Sequence, residues 1–298
     1  MTEVEKKGGY TYFPGCALEG IQEPYKKSTE AVAKELGIVL NELKSWNCCG
    51  TPSIIGVDEI KALALSARNL ALAAKEGDQI VSPCNTCFGT LKKVNRYMEY
   101  NKEIYSAING SLNAAGLSYE PNTVEVRHFV DILVNDYGIE EIRKRVKRPL
   151  TGFRVVPFYG CHFSRPFGEH DDVENPRKMD DLIKISGAEW VDYPMKFTCC
   201  GATLPVTDPK IGYRLIHEIL RSAKEVKADF IITSCPLCQT NLEMFQRVAG
   251  NMYGGKHHIP VLYVTQLVGY ALGLSVKELM IDKTLVKPKR LIEKSEVV

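Results

Sequence analysis

Two stretches decide the fold: Ile80-Val81-Ser82-Pro83-Cys84-Asn85-Thr86-Cys87 and Ile231-Ile232-Thr233-Ser234-Cys235-Pro236-Leu237-Cys238. Each is a short apolar run of buried-strand character that ends in a Cys-x-x-Cys pair. Upstream of each lies an adjacent pair followed by glycine, Cys48-Cys49-Gly50 and Cys199-Cys200-Gly201. The interval from pair to Cys-x-x-Cys is 34 residues in both cases (50 to 83 and 201 to 234). Further upstream stand the single cysteines of Tyr12-Phe-Pro-Gly-Cys16 and Phe158-Tyr-Gly-Cys161, separated from their pairs by 31 and 37 residues (17 to 47 and 162 to 198). All ten cysteines therefore fall into two sets of five with one order, the signature of an internal duplication.

Short apolar runs over Tyr10–Pro14, Gln79–Ser82, Arg154–Tyr159 and Phe230–Thr233 read as buried strands, with helical stretches such as Asp58–Lys75 and Asp208–Lys227 between them. The cysteine-free segments Val126–Leu133 and Val261–Val268 also correspond loosely. Strand–helix alternation predicts an α/β fold of two pseudo-symmetric, Rossmann-like halves, each a parallel sheet with flanking helices. The boundary is expected at the basic stretch Arg143–Gly152, read as a solvated helix end and linker, giving cysteine-rich domains over 1–148 and 149–298. In such sheets the loops at the carboxyl ends of strands form the ligand crevice, so each set of five should converge on one site per half.

Composition narrows the function. The 298 residues are 45% hydrophobic and 25% charged, enough for two cores, and 38 Lys+Arg against 36 Asp+Glu leave a net charge of +2, which disfavours nucleic acid. Met1–Gly9 lacks the apolar run of a secretory leader, so a cytoplasmic chain is expected, any membrane association being peripheral and through partners. The stretch from His257 to Val276 carries no Asp, Glu, Lys or Arg, but Pro260, Gly269 and Gly273 interrupt it; it reads as a strand (Val261–Val264) and a buried helix (Gln266–Leu272) rather than a membrane span. The tail Lys283–Val298 reads as disorder or a docking segment.

Five cysteines exceed the four ligands of a structural zinc or an ordinary cubane cluster. Adjacent cysteines suit a centre with several metals, where neighbours ligate different ions. Gly15, Gly160, Gly50 and Gly201 would let backbone approach a bulky cluster. A structural zinc with spare thiols in one half is the alternative left open. No C-x₂-C-x₂-C-x₃-C-P run occurs, so no conventional electron wire is encoded.

The repeated C…C-C-G…C-x-x-C pattern, with Tyr159-Gly-Cys-His162, Val126-Arg-His-Phe129 and Pro260-Val-Leu-Tyr-Val-Thr-Gln-Leu267, resembles the cysteine-rich (CCG) domain pair in the B-type subunit of heterodisulfide reductase. The resemblance implies a catalytic oxidoreductase subunit with two noncubane [4Fe-4S] clusters. Cys16, Cys48, Cys49, Cys84 and Cys87 would hold one; Cys161, Cys199, Cys200, Cys235 and Cys238 would hold the other. In the methanogen enzyme the coenzyme M–coenzyme B disulfide is reduced between the clusters. Its electrons come from a ferredoxin-like cubane iron–sulfur protein (the C-type subunit), itself fed by a flavoprotein (the A-type subunit). Related domain pairs occur in sulfur-oxidising heterodisulfide reductase-like complexes, in some succinate dehydrogenases and thiol:fumarate reductases, and in glycolate and lactate oxidation systems, so an electron-transfer or tethering role is the rival reading. His162, beside Cys161, is the candidate proton donor, or else a histidine that only hydrogen-bonds a cluster sulfur or backbone. Of the remaining side chains, His128 reads as packed or capping, His217 as mid-helix, His257 and His258 as a flexible loop, and Arg127, Arg165 and Lys196 as surface charges.

Overall fold

The computed structural model describes residues 9–166 and 171–296. The first half runs β1 (Tyr10–Tyr12), α1 (Cys16–Glu19), α2 (Glu23–Leu36), β2 (Leu40–Glu42), α3 (Glu59–Ala73), β3 (Gln79–Ser82), α4 (Asn85–Tyr100), α5 (Lys102–Asn113), β4 (Glu125–His128), α6 (Phe129–Asp131) with a wide-turn continuation over Ile132–Gly138, and α7 (Ile139–Lys144). The second repeats the plan: β5 (Arg154–Phe158), α8 (Lys178–Ile185), β6 (Glu189–Trp190), α9 (Leu204–Thr207), α10 (Pro209–Glu225), β7 (Phe230–Thr233), α11 (Pro236–Met244), α12 (Gln246–Tyr253), β8 (Val261–Tyr263), α13 (Val264–Ala271) and α14 (Lys289–Glu296). The sheets have the orders β2-β1-β3-β4 and β6-β5-β7-β8, with every pairing parallel. The duplication read from the cysteines is thus a duplication of sheet topology.

Local chemistry sets the helix starts. Asp58 accepts the backbone N–H of Lys61 at 3.0 Å and caps α3, and Asp208 does the same for Ile211 at 3.3 Å ahead of α10. The edge strands β2 and β6 leave little trace in the sequence because they are short and mostly exposed, and so lack an apolar run.

Each half has a private core, and a third, larger core lies between them. In that shared core Val32 and Leu36 of α2 meet Leu267, Val268 and Ala271 of α13, while Phe129 and Leu133 meet Met179, Leu182 and Ile183 of α8. Each half's first long helix therefore packs beside the helix that follows the other half's fourth strand. Full burial of such a side chain stabilises by about 1.5–3 kcal/mol, so the junction is a true core. Gly269 permits it: a Cβ there would stand 2.4 Å from Leu279 Cδ2 and 3.1 Å from Val32 Cγ2.

Two expectations need correction. The Arg143–Gly152 connector is docked rather than free, because the N–H groups of Lys147 and Arg148 donate to the Ala271 carbonyl and Leu150 is fully buried. The tail, as far as Glu296, is ordered: after an irregular stretch over 284–288 it ends in α14, whose Arg290 binds Asp229 at 2.9 Å and lies over the Phe153 ring at 4.5 Å. The uncharged stretch after His257 forms β8 and α13, and among the described residues no helix is long and apolar enough to cross a membrane.

Candidate functional site

All ten cysteines lie in loops or first helical turns at the carboxyl ends of strands. Cys16 and Cys161 follow β1 and β5, and Cys84 and Cys235 are the N-caps of α4 and α11 with Cys87 and Cys238 one turn in. The pairs Cys48-Cys49 and Cys199-Cys200 come from the loops entering α3 and α9. None is in a disulfide. In each half the sulfurs form a chain of neighbours. Cys16 meets Cys48 at 3.4 Å, Cys48 meets Cys49, Cys49 meets Cys87, and Cys87 meets Cys84. The second half repeats it as Cys161–Cys199–Cys200–Cys238–Cys235.

Electrostatics follow the same symmetry. The Cys48 thiol is held well below its usual range because Cys16 and then Cys49 donate to it, as does the Gly50 N–H at 3.4 Å. Cys199 is held down in the same way by Cys161, Cys200 and the Gly201 N–H. The donating thiols Cys16, Cys49, Cys161 and Cys200 are correspondingly pushed up, by those bonds and by burial. Each half thus holds a nest of hydrogen-bonded sulfurs, and the symmetry is incomplete: Cys235 is also drawn down, to about 7, by the Cys238 thiol that donates to it. Among the described residues no set of three or more His, Cys, Asp or Glu side chains is disposed around the position of a single metal ion.

The glycines fit a bulky sulfur centre. Gly15 has φ 79° and ψ 159°, a region closed to other residues, and a Cβ there would stand 2.8 Å from Cys87 Sγ. Gly160 repeats this with φ 67° and 3.1 Å to Cys238 Sγ. Gly50 and Gly201 also have positive φ, but a Cβ on either would face α3 or α10 instead; their part is to turn the loop so that its N–H reaches sulfur.

The two nests adjoin. The Thr86 hydroxyl, inside the first Cys-x-x-Cys, lies 3.8 Å from Cys235 Sγ of the other half. Asn85 donates to the Tyr159 carbonyl at 2.8 Å and accepts the Ser234 hydroxyl at 2.8 Å. Tyr25 and Tyr263 stack face to face at 3.9 Å, and the Tyr25 hydroxyl reaches the Pro83 and Ser234 carbonyls, which precede the two Cys-x-x-Cys motifs. Beside this junction is a cavity of about 160 Å³, lined by Cys16, Cys49, Cys84 and Cys87 from one half and by Pro236, Leu237 and Thr240 from the other. Thr86 and Asn85 could have been suspected from their place inside a Cys-x-x-Cys; the tyrosine pair, 238 positions apart (263 minus 25), leaves no mark in the sequence.

His162 packs across the junction on α4, where a Cβ at Gly89 would stand 3.0 Å from its Nδ1. That nitrogen is buried without a hydrogen-bond partner, and burial lowers the imidazole's pKa. His128 both packs and caps, accepting the Val130 N–H at 3.1 Å. Arg165 is exposed, as expected. Arg127 and Lys196 are not surface charges. Arg127 is largely buried between Asp131 (2.5 Å) and Asp136 (2.7 Å), where Lys178 joins Asp131. Lys196 is buried beside Asn175 (3.0 Å), Asp192 (3.2 Å) and Asp180 (3.8 Å), and its carbonyl accepts the Tyr159 N–H. His257 is not part of a free loop, since its Nε2 meets Nδ1 of buried His217 at 3.0 Å.

Comparison with known proteins agrees with this geometry. The model of the Cysteine-rich domain (CCG) family matches residues 10–92 and 155–243, one match per half. The chain is 33% identical to the 8-methylmenaquinol:fumarate reductase membrane anchor subunit of Wolinella succinogenes, over 95% of this chain and 98% of that protein. It is 30% identical to the B-type subunit of the Ferredoxin/F(420)H(2)-dependent CoB-CoM heterodisulfide reductase of Methanosarcina acetivorans, over 92% and 93%. A protein of Archaeoglobus profundus, named for its likeness to the heterodisulfide reductase B-type subunit, is 32% identical over 89% and 90%. A crystal structure of a hypothetical protein from Helicobacter pylori superposes with a TM-score of 0.74 at 17% identity, covering 95% of this chain and 53% of that one.

Proposed function

The chain belongs to the cysteine-rich (CCG) domain family, and on that footing we propose that it is the disulfide-reducing subunit of a heterodisulfide reductase-type complex. The observation that carries this reading is the adjacency of the two sulfur nests across the junction of the halves, with Thr86 of one half against Cys235 of the other and Asn85 bonded to Ser234. Cys16, Cys48, Cys49, Cys84 and Cys87 hold one iron–sulfur cluster and Cys161, Cys199, Cys200, Cys235 and Cys238 the other. When bound, such clusters supply electrons and Lewis-acid iron that stabilises a developing thiolate.

The protein's own residues do the rest. Pro14, Leu18, Pro52, Pro236 and Leu237 surround the first sulfur nest with apolar groups and limit water there. The stacked tyrosines and the Asn85–Ser234 bond fix the separation of the nests, so that two cysteine-held centres address one small molecule. His162, with Nδ1 buried and unpaired at the junction, handles the proton that a departing thiolate needs. Electrons arrive from a separate iron–sulfur protein of the complex.

A second reading, an electron-transfer component of a fumarate-reducing complex, is favoured by the 33% identity to the Wolinella protein over nearly its whole length. Electron paramagnetic resonance of oxidised, anaerobically purified protein separates the two. A species that appears only with 2-mercaptoethanol supports disulfide chemistry, while clusters indifferent to thiol favour electron transfer alone.

A further inference from the structure

The two sulfur nests differ in the groups that face them. In the second half Asn241 of α11 donates its side-chain N–H to Cys200 Sγ at 3.5 Å and to the Ala202 carbonyl at 2.8 Å. Thr90 holds the corresponding place in the first half, three residues past Cys87 as Asn241 is three past Cys238. Its hydroxyl is engaged elsewhere, by the Thr86 carbonyl at 2.8 Å and by Thr51 at 3.0 Å. The Thr86 hydroxyl lies 3.8 Å from Cys235 Sγ, whereas Leu237, its counterpart in the second Cys-x-x-Cys, brings an apolar side chain to the first nest.

The third difference is Tyr193. Tyr10 of β1 and Val155 of β5 each stand six residues before their single cysteine, and they pair with Leu40 and Trp190. Three residues further on, Leu43 and Tyr193 therefore occupy corresponding places. Both are buried: Leu43 in the core that holds Cys49, Cys84 and Cys87, and Tyr193, only 3% exposed, in the core that holds Cys200, Cys235 and Cys238. The Tyr193 hydroxyl has no hydrogen-bond partner among the described residues, and the ionisable side chain that bears on its phenol is Cys238. An unpaired hydroxyl in a core is costly, and Phe would fill the same space without one. The buried, unpaired hydroxyl of Tyr12 is a different case, because the charges that bear on it are those of Glu30, Glu42 and Glu19.

We propose that the second-half centre is the more easily reduced of the two, because the Tyr193 hydroxyl donates a hydrogen bond to one of its sulfurs, with Asn241 and Thr86 adding to the effect. The proposal rests on the cluster reading above. A cysteine that ligates iron has lost its proton, so a hydroxyl or amide N–H beside it can only donate. Reduction adds negative charge to the iron and its sulfurs, and a donor held against sulfur favours the more negative state. At the matching places the first centre has Leu43, Leu237 and a Thr90 bonded elsewhere. An electron delivered by the separate iron–sulfur protein therefore settles in the second half.

Tyr193→Phe tests this, since it removes the hydroxyl and keeps the ring. Redox titration of the anaerobically purified chain, followed by visible absorption and electron paramagnetic resonance, should resolve two steps. Tyr193→Phe should lower the reduction equilibrium constant of the higher-potential step roughly tenfold, which is about 59 mV for one electron, and leave the other step in place. Leu43→Met, a volume-conserving swap at the corresponding position, should move neither. Electron–nuclear double resonance in H₂O and D₂O gives an independent reading: an exchangeable proton coupled to the second centre should be present in wild type and absent from Tyr193→Phe. The higher-potential step should survive in Cys49→Ser and vanish in Cys200→Ser. Iron and sulfide are measured on the same samples. Full iron and sulfide with both steps unmoved in Tyr193→Phe, or a higher-potential step lost in Cys49→Ser instead, would overturn the proposal while leaving the clusters in place. A wild-type chain without sulfide overturns the cluster reading and this proposal with it.

Discussion

Replacing Gly15 by Ala probes the sulfur nest at its tightest point. The residue has φ 79° and ψ 159°, where a side chain costs about 1–3 kcal/mol of backbone strain. The added Cβ would also stand 2.8 Å from Cys87 Sγ, closer than real Cβ contacts allow, so the sulfur must move; overpacking of this kind adds about 1 kcal/mol or more. The sum is about 2–4 kcal/mol, or a fall of roughly 5–10 °C in Tm at the size scaling of larger domains. Gly37→Ala is the matched control, since Gly37 also has a positive φ of 74° but a Cβ there meets nothing within 4 Å. Differential scanning calorimetry should place Gly15→Ala well below Gly37→Ala. Iron analysis should show Gly15→Ala with about half the wild-type iron and Gly37→Ala with all of it. Gly160→Ala, at 3.1 Å from Cys238, should lose the other half. A Gly15→Ala chain with full iron and a Tm matching Gly37→Ala would refute the idea that these glycines make room for the sulfur centre.

Thr86→Val removes the hydroxyl 3.8 Å from Cys235 Sγ and should alter the resonance signature of the second-half centre more than that of the first, although the mutation lies in the first half. Asp131→Ala strips the shared carboxylate from Arg127 and Lys178 and should cost about 3–5 kcal/mol in denaturant unfolding, because Lys178 loses its carboxylate partner and Arg127 is left with Asp136. Burial raises the Asp180 carboxyl to about 6. The folded state then binds the extra proton between about pH 4 and 6, so this group's contribution to stability is greatest at low pH and falls by about 3 kcal/mol as pH rises through that window. Comparing wild type with Asp180→Asn across pH 4–7 should show that slope in wild type alone; parallel curves would refute it.

The chemistry-bearing features were legible because they are local. Five cysteines in a fixed order, strand runs such as Gln79–Ser82 and Phe230–Thr233, and the Asp58 and Asp208 caps all lie within a few residues of what they determine. The association of the halves was not legible, since it depends on α2 meeting α13 and on Tyr25 stacking with Tyr263 across the chain. Lys196 and Arg127 defied the expectation that basic side chains lie outside because each found buried carboxylates: Asp180 of α8 for Lys196, and for Arg127 the nearby Asp131, four residues on, which Lys178 of α8 shares.

The central claim is that the ten cysteines hold two iron–sulfur centres, one per half, that adjoin at the junction of the halves. Metal and acid-labile sulfide analysis of the anaerobically purified wild-type chain tests it most directly. Two four-iron centres predict about eight iron and about eight sulfide per chain, with Cys49→Ser and Cys200→Ser each losing about half. Zinc without labile sulfide would contradict it.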